Sequence, residues 1–139
     1  MNALLWALVA AVIWGFVPVL EKLGLTQSAP MVAVFARSIG VFLGALVCGV
    51  WWSPWKALGN VPLRAFLLLA LGGFLASVVG QLAFYHALKT GHVSQVTPIA
   101  GTYPLVAVVL GWVLLREPMT AGRVVGAIFI GAGVLLLRR

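Results

Sequence analysis

The sequence predicts an all-α integral membrane protein of five transmembrane helices in one domain, about 3–22, 31–52, 65–88, 93–115 and 119–137, on three observations. Hydrophobic residues make up 63% of the 139 and charged residues only 8%, with a mean hydropathy of +1.16. Soluble domains carry about a quarter charged residues, and a chain this small cannot hide so much apolar surface in its own core, so lipid must solvate it. The charges also fall mainly between apolar runs rather than within them. Finally, the run from Val93 to Leu115 is uncharged throughout. At about 1.5 Å of rise per residue it covers a hydrocarbon core of roughly 30 Å.

The first run, Ala3 to Leu20, is uncharged and ends at Glu21-Lys22. It lacks the basic start and small-residue cleavage site of a signal peptide, so it reads as a retained span. Trp14 lies on it, and Gly15 with Pro18 should bend its second half, because proline removes a backbone donor and clashes one turn back. The second span is broken only by Arg37, and its Gly40 and Gly44 share a face that allows close helix approach. Trp51, Trp52 and Trp55 follow beside Pro54, as at head-group level. Gly59, Asn60 and Pro62 stop any helix before the third span. On that span Ser77, Gln81 and Tyr85 recur every four residues and form one polar stripe.

The fourth span is the centre of interest. Pro98 and Pro104 free the carbonyls of Ser94 and Ala100, near Thr97, Gly101, Thr102 and Tyr103. Lipid offers those groups no partner, so either neighbouring side chains or a solute and water must. The last span is charge-free only from Val124 to Leu137; counting from Met119, with Arg123 snorkelling outward, makes it long enough. Gly122, Gly126 and Gly133 share one face there, a seam either within the protomer or for a dimer.

No catalytic constellation is present. The two acids, Glu21 and Glu117, stand at span ends, and neither histidine has metal-ligand company, so the expectation is no enzyme, no cofactor and no metal. Cys48 is single and carries no disulfide framework. The net charge of +7 is spread between apolar runs, as head-group contacts rather than a nucleic-acid footprint. Arg37 stands out. It lies about 10 Å along its helix from Pro30, and a charge at depth calls for a partner and a function. Glu21 is the expected counter-ion, with snorkelling of Arg37 as the plainer alternative. Glu117 reads as structural, tied to Arg116 or Arg123 or favouring the start of the last helix.

Trp14-Gly15, Arg37, the run Tyr85-His-Ala-Leu-Lys89, Pro104, Glu117 and the Gly126…Gly133-Val134 spacing together resemble the EamA-type domain of the drug/metabolite transporter superfamily, over essentially the whole chain. Many members carry two such five-helix units in inverted orientation within ten helices. The resemblance therefore implies a small-solute transporter in the cytoplasmic membrane, with this chain as one half of an inverted-repeat architecture that needs a partner. Metabolite or amino-acid export is the implied function. A multidrug exporter of quaternary cations, or a non-transporting subunit with a hetero-partner, are the alternatives. The small multidrug members carry a membrane-embedded glutamate on the first helix; here no acid precedes Glu21, which speaks against proton coupling through that device.

The connectors bear on assembly. Lys56, Arg64, Arg116 and Arg123 lie on the N-terminal side, and Lys22, Lys89, Arg138 and Arg139 on the other, joined by Arg37 if it reaches that side. The positive-inside rule finds almost no bias to act on. Insertion both ways, and an antiparallel homodimer, is the expectation, with a weak bias fixed by a partner or the first span as the alternative.

Overall fold

The computed structural model describes residues 2–137, apart from the Lys56 side chain. Arg138 and Arg139, used above in the charge balance, lie outside the described residues. The chain is an all-α integral membrane protein: among the described residues every regular element is helical, and four spans are long and apolar enough to cross a membrane, with a shorter apolar helix after them.

The chain divides into two compact units, residues 1–90 and 91–139. In the first, α1 (Ala3–Leu25) and α2 (Pro30–Trp52) have 23 residues each. α1 passes Glu21-Lys22 and ends three residues later at Leu25, with Lys22 in its last turn suited to the negative end of the helix dipole. Pro18 breaks nothing: α1 continues as α-helix on both sides of it, and Pro18 is buried. One lost hydrogen bond is tolerable where neighbours hold the helix.

α2 starts on Pro30, whose missing N–H is one of the unpaired donors of a first turn anyway. It stops at Ser53, which takes a left-handed φ of 45° and donates its N–H to Gly49 O at 3.0 Å. A short α3 (Trp55–Leu58) then lays the Trp55 ring over Gly49, where a Cβ would clash with the ring.

The third span is not one regular helix. α4 (Leu63–Phe74) passes into a π-helical segment, Leu75–Gly80, and then into α5 (Gln81–Thr90). Such wide turns are rare and gather at functional sites. α5 packs against both α1 and α2. The buried apolar side chains, Leu25, Val34, Tyr85 and Leu88, all come from α1, α2 and α5 near one end of the spans. Most other large apolar side chains, such as Phe16, Phe42 and Leu69, are exposed, and in water that surface would be untenable.

In the second unit the fourth span is broken. α6 (Val93–Ala100) contains Pro98, α7 (Tyr103–Leu115) has Pro104 in its first turn, and Gly101-Thr102 separate them. α7 ends on Arg116, left-handed at φ 55°. α8 (Ala121–Leu137), 17 residues, begins two residues after the expected Met119, with the Thr120 hydroxyl 3.4 Å from the Arg123 N–H at its start. It packs against α6 and α7.

Candidate functional site

The first unit gathers its polar side chains around one carboxylate. Glu21 sits one turn before the end of α1, about 6 Å in by helical rise. Its Oε1 accepts from Gln81 Nε2 at 2.9 Å and from the Tyr85 hydroxyl at 2.8 Å. Arg37 Nε on α2 approaches the same oxygen at 3.5 Å. Gln81 and Tyr85 are one turn apart on α5 and so share its face. The Glu21 side chain is 11% exposed and that of Arg37 32%.

Burial of a charged pair is costly unless the geometry supplies further hydrogen bonds, and here Gln81 and Tyr85 supply them to the carboxylate. The guanidinium is less well served, because Arg37 Nη1 is buried and has no hydrogen-bond partner among the described residues. A buried unmet donor on a cation is an unusual feature, and a ligand oxygen would satisfy it.

Two lysines to which the sequence analysis gave no site role close the same end of this unit. Lys22 Nζ donates to the carbonyls of Leu88 and Lys89, and Lys89 Nζ donates to Ser28 O at 2.6 Å. Each cation caps carbonyls at a helix end or just beyond it, and a lysine in a last helical turn is the signal that could have found them. Ser77 stands apart. It falls inside the π segment and is half-buried, outside the hydrogen bonds that join Gln81 and Tyr85 to Glu21. Trp14 is 62% exposed on α1 and is not among the groups that meet Glu21.

In the second unit the break between α6 and α7 is partly self-satisfied. Gly101 N–H donates to Thr97 O at 2.7 Å, and Ile99 O accepts from both the N–H and the hydroxyl of Thr102. The Thr97 hydroxyl is buried without a partner among the described residues, and Tyr103 is exposed. Glu117 meets Arg123 at 3.5 Å with both side chains about half exposed. Gly122, Gly126 and Gly133 on α8 have nothing within 4 Å of where a Cβ would sit.

A broken span, a paired charge inside the membrane helices and two units rich in lipid-facing surface are the parts of a solute carrier. The EamA-like transporter family matches this chain over residues 1–139. The chain belongs to that family. It is 31% identical over 134 residues to an uncharacterized transporter in the cobO 3' region of Sinorhizobium sp., covering 95% of this chain and 93% of that protein. It is 26% identical to an uncharacterized transporter of Archaeoglobus fulgidus over 99% of this chain but 48% of the relative. An uncharacterized transporter of Pseudomonas aeruginosa is 31% identical over 79% of this chain and 37% of its own length. The chain therefore spans nearly all of one EamA relative and half or less of two others. No solved structure matches it. As a multi-pass membrane protein of this family it is a membrane transporter by kinship.

Proposed function

We propose that this EamA-family chain moves a small organic solute, a metabolite or amino acid, outward across the cytoplasmic membrane by alternating access, as an antiparallel homodimer. The observation that carries the solute site is the buried, unpartnered Arg37 Nη1 beside the Glu21 carboxylate. A guanidinium with an open donor suits a carboxylate or phosphate oxygen on the solute. Gln81 and Tyr85 hold Glu21 in place, and releasing or re-forming these bonds gives α1, α2 and α5 two arrangements to alternate between. In the second unit the α6–α7 break, with the buried Thr97 hydroxyl, Thr102 and Tyr103, would supply a further polar surface at membrane depth.

The homodimer is supported by the open glycine face of α8, which offers a seam for close approach. The first test is flux of a radiolabelled amino-acid mixture and of quaternary ammonium compounds in proteoliposomes, with Arg37→Leu as the control. Flux of amino acids lost in the variant supports the reading. Flux confined to quaternary cations would replace it with multidrug export, and no flux from the purified chain alone would point to a hetero-partner.

A further inference from the structure

The second unit holds a pocket of about 350 Å³ where the end of α7, the connector and the start of α8 meet. Pro104, Val108 and Trp112 form one wall, on one face of α7, and Glu117, Met119 and Arg123 form the rim. Gly111 lies on the same α7 face, and a Cβ there would sit 3.6 Å from the Glu117 carboxylate carbon. That bare position lets the carboxylate fold back along the helix end. Arg123 Nη1 donates to Pro118 O at 2.7 Å and reaches Glu117 Oε2 only at 3.5 Å, the far limit for a hydrogen bond. A cation and an anion are thus fixed on one rim, about half exposed, without saturating each other.

The position of the pocket selects the ligand. Leu115 ends the fourth span, so the rim lies at head-group level, with Trp112 about one turn further in. The wall from Trp112 to Pro104 then runs inward for roughly two more turns as apolar surface. A ligand that fits is charged in both signs at one end and apolar along the other. We propose that this pocket binds phosphatidylethanolamine, the phosphate accepting from Arg123, the primary ammonium donating to Glu117, and the start of an acyl chain lying along Trp112 and Val108. Phosphatidylcholine lacks the ammonium donors, and phosphatidylglycerol lacks the cation that Glu117 would meet.

The test is native mass spectrometry of the full chain, delipidated in detergent and offered phosphatidylethanolamine, its N-methylated series through phosphatidylcholine, and phosphatidylglycerol, all with the same acyl chains. Charge-assisted hydrogen bonds predict retention of phosphatidylethanolamine about tenfold above phosphatidylcholine and phosphatidylglycerol, falling with each methyl added. Glu117→Gln should abolish that preference, and Arg123→Gln should weaken retention of every phospholipid. Equal retention across the series by the wild-type chain, which needs no variant to fold, overturns the proposal. Glycerophosphoethanolamine, which has the head group without chains, should compete poorly; displacement of the lipid at equal concentration would overturn the lipid assignment in favour of a soluble ligand.

Discussion

Tyr85 on α5 donates its hydroxyl to Glu21 on α1 at 2.8 Å, and that same carboxylate oxygen faces Arg37 of α2. One atom therefore ties three helices of the first unit, α1, α2 and α5. Tyr85→Phe removes a hydrogen bond to a charged acceptor and should destabilise the protein by about 1–2 kcal/mol, read as a lowered unfolding midpoint in detergent. Glu21→Leu should cost more, about 2–3 kcal/mol, because it leaves the Arg37 charge without its partner, moderated by the exposure of Arg37. Glu21→Leu combined with Arg37→Met should recover part of that loss. A double variant as unstable as the sum of the two singles would mean the pair is not coupled.

The Trp55 ring covers Gly49 so closely that any side chain must displace it. Gly49→Ala should therefore overpack the end of α2 and cost about 1–3 kcal/mol, with a change in tryptophan emission as Trp55 moves. Gly72→Ala, which has open space around it, should be neutral or slightly stabilising because alanine favours helix by about 1 kcal/mol over glycine. Equal effects at the two positions would refute the packing argument.

The four long spans and the shorter last helix were legible because charge and proline interrupt the apolar runs near their ends, as at Glu21-Lys22 and Arg116-Glu117-Pro118. Glu21 and Arg37 could be paired from order alone: the end of one span and the start of the next emerge on the same side. Gln81 and Tyr85 share a face at a spacing of four. Ser77 fits the same arithmetic yet stays outside the cluster, because it lies within the π segment, whose wider turns break the spacing to Gln81. Nothing in Leu-Ala-Ser-Val-Val-Gly announces that change, since it arises from packing rather than from any residue's intrinsic preference. Pro18, by contrast, does not end its helix, because the residues on both sides of it keep α-helical geometry. The Glu117–Arg123 pocket was out of reach because it depends on the fold-back over Gly111.

The π segment makes its own prediction. A π turn amounts to one extra residue inserted in an α-helix, so deleting Val79 should convert Leu75–Gly80 to α-helix while Gln81 and Tyr85 still reach Glu21. Deleting Leu68 from regular α4 instead turns everything before it by about 100° relative to α5. The Val79 deletion should elute as a monodisperse species by size exclusion and the Leu68 deletion should aggregate. If both behave alike, the π segment has no register role.

The α8 glycines decide the assembly question. Since Gly126 is exposed and no described atom lies within 4 Å of a Cβ there, Gly126→Leu should disturb the protomer's own packing little, with an unfolding midpoint within about 0.5 kcal/mol of wild type. If α8 is the homodimer seam, close backbone approach is what holds the copies together, and the same change should abolish cross-linked dimer in membranes. Labelling of a single cysteine added at the C-terminus, with Cys48 replaced, completes the test from outside intact cells. Partial labelling that becomes complete on lysis is the outcome expected of two coexisting orientations. All-or-none labelling, with cross-linking unaffected by Gly126→Leu, would remove both the antiparallel arrangement and this seam.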